Sequence, residues 1–220
     1  MLLRIYRMLL KCFGRQDWWP AKTRFEVMVG AILTQNTNWK NVEKAIANLR
    51  KAGALTPEKM SKLTRGTLRG YIRPSGFYRQ KAERLAGFLD FLKGYGYDLS
   101  KLFSGDPGCL RIKLLQLKGI GPETADSIML YAGNKPFFVV DAYTKRIFAR
   151  LGLIADSDEY EEVRKFFQDN LPRKTGLYNE YHALIVELAK KHCRKEPVCG
   201  GCPLAKQCKF EKKYNYLKNG

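Results

Sequence analysis

The residues best equipped for chemistry in this sequence are one carboxylate, one group of thiols and a small set of indoles. Asp141 follows the apolar run Phe137-Phe138-Val139-Val140 and precedes Ala142-Tyr143-Thr144-Lys145-Arg146. Asp is a preferred helix N-cap. A carboxylate at a helix start can cap and still face a cleft, where it stabilises a developing cation or takes a proton from water. Residue type leaves both roles open. Four of the six cysteines crowd into Cys193-x5-Cys199-x2-Cys202-x5-Cys208, with Pro203 directly after the third, while Cys12 and Cys109 stand alone. In an intracellular chain such crowding suggests a metal before disulfides. Zinc sites more often use two close Cys-x2-Cys pairs, whereas a single close pair suits an iron–sulfur cube, whose corners are further apart. Zinc stays as the alternative.

The glycines of Leu117-Lys118-Gly119-Ile120-Gly121-Pro122-Glu123-Thr124-Ala125 form a further signal. Gly119 and Gly121 between two amphipathic helices allow a tight turn and close approach of another backbone. The helix that follows starts with free N–H groups, which suit a phosphate. Glycines of a helix–turn–helix pair serve geometry alone equally well. The three tryptophans are Trp18 and Trp19, followed by Pro20, and Trp39. Core packing is the ordinary use of Trp. An indole face also stacks on an extruded base and attracts a cationic ring.

Composition narrows the partners. Forty Lys and Arg against twenty-one Asp and Glu give a formal charge of +19, spread along the chain instead of gathered in a tail. A folded basic body of this kind favours nucleic acid over an anionic membrane surface. No apolar run reaches membrane-span length. The first eleven residues carry basic side chains within an apolar stretch and have no small-residue cleavage site, so they read as an amphipathic helix and not a signal peptide. The expectation is an intracellular protein, in cytoplasm or nucleoid.

The elements that must position these groups are helical. Thr23-Arg24-Phe25-Glu26 has capping-box spacing before the apolar run from Val27 to Leu33. Asn38 is placed to cap a helix from Trp39 to Lys51, and Thr56-Pro57-Glu58 opens another with Pro at its first position. Residues Arg79 to Lys93 carry apolar side chains at helical spacing, and Leu110 to Leu117 form a short helix before the glycine turn. Further helices are expected at 122–132, 141–152, 158–170 and 177–192. Val139-Val140 is strand-like but too short to build a sheet. The fold class is all-α.

Leu117 to Ala125 followed by Val139-Val140-Asp141 resembles the hairpin and catalytic aspartate of the helix-hairpin-helix DNA glycosylases, the superfamily that includes endonuclease III. The similarity runs from about Trp18 to Cys208. Thr34-Gln35-Asn36-Thr37 matches the loop whose glutamine fills the gap left by a flipped base. Pro74-Ser75-Gly76-Phe77-Tyr78-Arg79-Gln80-Lys81-Ala82 is similar to a second DNA-facing loop. The resemblance therefore implies a catalytic Asp141 and a DNA-binding set of Gln35, Asn36, Gly76, Tyr78, Lys81, Lys118, Gly119 and Gly121. It also implies a 4Fe–4S cluster on Cys193, Cys199, Cys202 and Cys208, although the endonuclease III loop has one more residue between its first two cysteines. Endonuclease III carries a Schiff-base lysine where this sequence has Glu123, so strand cleavage is not expected. Trp18-Trp19-Pro20 and the run from Gly30 to Thr37 look like the 3-methyladenine glycosylase branch, which implies a base pocket of Trp18, Trp19, Pro20, Trp39 and Glu123.

The resemblance implies two helical domains with a DNA-binding cleft between them. One would span 23–135 and carry the hairpin. The other would combine 1–22 with 136–220 and carry Asp141 and the cysteine loop (193–208). The expected function is a monomeric, monofunctional DNA glycosylase acting on double-stranded DNA with a damaged base, foremost an alkylated purine, and leaving an abasic site. A glycosylase for uracil, mismatched thymine or hypoxanthine is the first alternative. An endonuclease III-like glycosylase/lyase is the second. A non-catalytic module that uses the hairpin only for phosphates comes from another class.

Overall fold

Side-chain caps set most of the helix starts. The computed structural model describes residues 1–18 and 21–210, so the expected base-pocket residues Trp19 and Pro20 lie outside the described residues. In chain order the helices are α1 (Leu2–Phe13), α2 (Arg24–Leu33), α3 (Trp39–Lys51), α4 (Pro57–Ser61), α5 (Arg65–Ile72) and α6 (Tyr78–Lys93). They continue as α7 (Leu99–Ser104), α8 (Pro107–Leu115), α9 (Pro122–Ser127), α10 (Ala142–Leu151), α11 (Tyr160–Asn170) and α12 (Thr175–Lys191). Among the described residues there is no strand, and no helix is long and apolar enough to cross a membrane.

Thr23, Asn38 and Thr56 each accept a hydrogen bond from the third residue of their helix, Glu26, Asn41 and Lys59, at 3.1, 3.1 and 3.3 Å. Such a bond satisfies one of the unpaired N–H groups of the first turn, and losing it costs about 1 kcal/mol. The Glu26 carboxylate itself goes to Arg50 of α3, at 2.5 Å. Helix α9 does not run unbroken to residue 132. From Ile128 to Ala132 it widens into a π turn, which Gly133 N–H closes on the Ile128 carbonyl. Helices α5 and α7 have no counterpart in the sequence reading, because both are short and lack a long apolar period.

The chain divides into two compact units, Met1–Trp18 with Pro136–Gly220, and Trp19–Lys135. In the second, α2 packs against the π turn, α3 against α5, and α5 against α6. The hairpin lies between α8 and α9, which are joined by a bidentate ion pair. Arg111 Nε and Nη2 meet the two oxygens of Asp126 at 2.6 and 3.1 Å, and the Asp126 side chain is fully buried. In the first unit α12 packs on both α1 and α10. Its core is aromatic. Phe138 stacks on Phe167 with centroids 4.0 Å apart, and Phe148 meets the same ring edge-on at 4.6 Å. Val139 and Val140 are buried in this core as irregular chain, which explains their apolar character without a sheet.

Removing the Asp126 carboxylate strips a buried guanidinium of its bidentate partner. Asp126→Ala is expected to lower the unfolding free energy by about 3–5 kcal/mol. Denaturant unfolding followed by circular dichroism checks this, and a loss below about 1 kcal/mol contradicts the role given to the pair.

Candidate DNA-repair active site

The glutamine loop and the hairpin are bonded to one another within the second unit. Gln35 Nε2 donates to the Gly119 carbonyl and to Thr124 Oγ1, both at 2.9 Å. Arg84 of α6 donates to Gln35 Oε1. Gly119 has φ of +84°, and a Cβ there would fall within 2.4 Å of the Arg84 side chain. Glycine at this position is favoured by the left-handed backbone, and the arginine that lies across it would have to shift to admit any other residue. Gly121, by contrast, has ordinary extended backbone at the start of α9, with open space where a Cβ would be. Lys118 and Glu123 are exposed, on either side of this turn.

The second expected DNA-facing loop contains a short 3-10 turn, Arg73–Ser75, followed by Gly76 and Phe77 in left-handed backbone. Tyr78 is half-buried, whereas Phe77 is 63% exposed with φ of +46°. A solvent-facing phenyl ring on a constrained loop tip is the kind of apolar wedge that unstacks DNA bases. Sequence reasoning quoted the loop without singling this residue out. Asn36 is likewise exposed in left-handed backbone, with φ of +52°.

Lys81 requires a correction. It was expected among the DNA-binding residues, but its side chain is completely buried. Nζ donates to the Leu33 carbonyl at 2.8 Å and the Ser75 carbonyl at 2.6 Å. An amine enclosed in this way cannot reach a phosphate. It ties the end of α2, where the glutamine loop begins, to the turn before Gly76. Burial, with a smaller contribution from Arg84, pulls its pKa down to about 8.

Trp39, half-buried at the first position of α3, lines a hollow of about 330 Å³ with Gly30, Glu43 and the Glu26–Arg50 ion pair. Trp18 belongs to the other unit and stands beside Asp141's surroundings there. Its ring centroid lies 5.2 Å from that of His182.

Asp141 caps α10 as expected. Its Oδ1 accepts from Thr144 N–H at 2.7 Å and from Thr144 Oγ1 at 2.9 Å. Its Oδ2 lies 3.5 Å from His182 Nε2, the carboxylate side chain being 13% exposed and the imidazole 6%. Burial alone would raise the carboxyl pKa. Hydrogen bonding and charge from His182, with the two Thr144 donors, outweigh it and hold the group below its usual value. His182 is a residue that sequence reasoning missed. It lies inside the expected helix 177–192, and nothing in the helical pattern sets it apart from a core position.

The four clustered cysteines form no disulfide, and each is half-buried. They lie near enough to influence one another. The Cys202 thiol is pushed up to about 11 by burial first and then by Cys193, Cys199 and Cys208, against a lowering hydrogen bond from the Leu204 backbone. Arg150 of α10 approaches Cys193 Sγ at 3.3 Å and donates to the carbonyls of Arg194 and Lys195 at 2.6 and 2.8 Å. Arg146 donates to the Cys193 carbonyl at 2.9 Å. Among the described residues no three His, Cys, Asp or Glu side chains converge as one bound metal ion would need.

A glycine hairpin followed by a capped, buried aspartate on an all-helical frame defines a helix-hairpin-helix protein of DNA repair. The chain belongs to the HhH-GPD superfamily of base excision DNA repair proteins, whose family model matches residues 29–173, and it is a DNA glycosylase of that family. A candidate DNA repair glycosylase of Methanocaldococcus jannaschii is 49% identical over 211 residues, covering 94% of this chain and 96% of its own. The structure of H. pylori 3-methyladenine DNA glycosylase (MagIII) bound to 1,N6-ethenoadenine is similar with a TM-score of 0.76 and 31% identity, over 86% of this chain and 97% of that one. A trapped endonuclease III–DNA covalent intermediate shares the fold, with a TM-score of 0.83 and 23% identity over 97% and 98% of the two chains.

The buried amine makes a signed prediction. Lys81 titrates near 10.5 in the unfolded chain and near 8 when folded. Between those values the unfolded state binds more protons, so this residue's contribution to stability rises with pH across that window. In Lys81→Met this rise is lost, so the unfolding free energy of wild type minus that of the variant is expected to grow from about pH 7.5 to 10.5. Parallel curves for the two proteins would contradict it.

Proposed function

We propose that this chain is a monofunctional DNA glycosylase that flips an alkylated purine out of double-stranded DNA and hydrolyses its glycosidic bond, leaving an abasic site. The observation that carries the reading is Glu123, exposed in the first turn of α9, where endonuclease III has its Schiff-base lysine. A carboxylate cannot form that adduct. An N-alkylated purine is already cationic, so it leaves without a proton donor. Asp141 then has two tasks, to stabilise the oxocarbenium-like sugar and to orient or deprotonate the attacking water. Its depressed pKa keeps it ionised for both.

The indoles of Trp18, Trp19 and Trp39, with Pro20, supply apolar and electron-rich faces for a cationic base. Similarity to a 3-methyladenine glycosylase structure supports this choice of lesion. Gln35 fills the place of the extruded base, and Phe77 wedges the stack. Asn36, Gly76 and Tyr78 approach the strand with Lys118, Gly119 and Gly121. The protein acts as a monomer. A 4Fe–4S cluster fits the cysteine loop by donor chemistry. Burial and the three neighbouring cysteines disfavour the Cys202 thiolate, and iron bound there would supply the positive charge that favours it and would fix the loop. Cys193, Cys199, Cys202 and Cys208 would hold it.

Asp141→Asn preserves the capping oxygen but not the charge. Excision of 3-methyladenine or 7-methylguanine from duplex DNA is expected to fall about 100-fold or more, with lesion binding kept. Near-wild-type excision by that variant would remove Asp141 from the chemistry. Borohydride added during turnover of the wild-type protein is expected to trap no covalent protein–DNA adduct. Efficient trapping would overturn the monofunctional reading. Release of oxidised pyrimidines alone, from a panel that also carries uracil and hypoxanthine, would overturn the substrate.

A further inference from the structure

The Asp141 carboxylate has two inequivalent oxygens. Oδ1 is committed to the cap, accepting both Thr144 donors. Oδ2 is the oxygen left for the sugar or the water, and it faces His182 Nε2 at 3.5 Å. The imidazole comes from the middle of α12, is 5% exposed, and has the Trp18 indole tilted against it at 54°. The groups acting on the carboxylate are His182 from α12 and Thr144 from α10, and the Trp18 segment adds a neutral ring. The two Thr144 donors offset the burial of the negative charge at Oδ1, and His182 is the residue of this set that stands at Oδ2.

We infer that His182 is a positioning residue for Asp141, holding Oδ2 in its working orientation and keeping the carboxylate ionised, with Trp18 fixing the imidazole plane. The inference rests on Asp141 being the catalytic carboxylate. Under it, loss of the imidazole leaves only the Thr144 donors to oppose the effect of burial. The Asp141 pKa then rises, and the fraction of ionised enzyme falls as pH drops. His182 also sits one ring away from Trp18, a proposed base-stacking residue. Packing changes at that indole therefore reach the reacting oxygen through a single side chain.

The test is single-turnover excision of 7-methylguanine against pH, with lesion-DNA binding measured separately. His182→Phe keeps the ring volume and removes the donor. Its acid limb is expected to move up by about one pH unit or more, with the plateau rate down about tenfold and binding changed less than about twofold. His182→Gln restores a neutral donor at the Nε2 position. It is expected to recover most of the plateau rate while its acid limb stays above that of wild type. A folded His182→Phe protein with the wild-type limb and rate overturns the inference. If the phenylalanine variant does not fold, the glutamine variant decides, and an unmoved limb in it overturns the inference equally. Failure of the underlying reading gives a different result, since wild type and Asp141→Asn would then excise alike.

Discussion

A largely enclosed carboxylate that its neighbours keep below its usual pKa is the constraint around which the unit holding Asp141 is arranged. Asp141 begins α10, and enclosing it disfavours its ionised form. The offset comes from two places at once. Thr144, three residues on, supplies neutral donors to one oxygen, and His182 from α12 approaches the other. The apolar stretch before it, Phe138 to Val140, is fully buried and pins the approach to the helix. Further along, Arg146 and Arg150 of the same helix hold the backbone of the cysteine loop. Helix α10 is thus fixed at its start by a carboxylate and along its length by two guanidinium groups.

The other unit solves a different problem, which is to hold loops in place while leaving their tips exposed. Lys81 spends its charge on two carbonyls inside the protein. Arg111 is similarly enclosed, with Asp126. The Arg111–Asp126 pair is neutral overall and the enclosed Lys81 cannot touch a phosphate, so direct contacts with a polyanion must come from other Lys and Arg side chains. What the buried amine provides is rigidity between the glutamine loop and the turn before Gly76. Phe77 and Asn36, both exposed in left-handed backbone, follow within three residues the two carbonyls that this amine holds. The strain of those conformations persists because the surrounding structure over-determines it.

The sequence by itself determined what depends on neighbours a few residues apart. The caps at Thr23, Asn38, Thr56 and Asp141 follow from short polar side chains before helical runs, and each is found where the pattern put it. The hairpin glycines and the absence of sheet were legible for the same reason, because turn chemistry and apolar period are local. Short α5 and α7 were not, since eight and six residues give too little periodicity to separate from a loop. The capping-box pattern at Thr23 was half informative. The threonine caps, but Glu26 turns to Arg50, 24 positions away.

Only tertiary structure could decide the long-range pairings. Lys81 is a lysine in a basic, DNA-like loop, and residue type alone assigns it to solvent. Its burial depends on the Leu33 carbonyl 48 positions earlier in the chain. His182 looks like one more core position of a long helix until folding brings it against an aspartate in another element. Gly119 was legible as a turn, but the Arg84 side chain that lies across it was not. Local spacing fixes where a helix starts. Which buried charge meets which partner is set by the packing of elements far apart in sequence, and no local pattern carries that information.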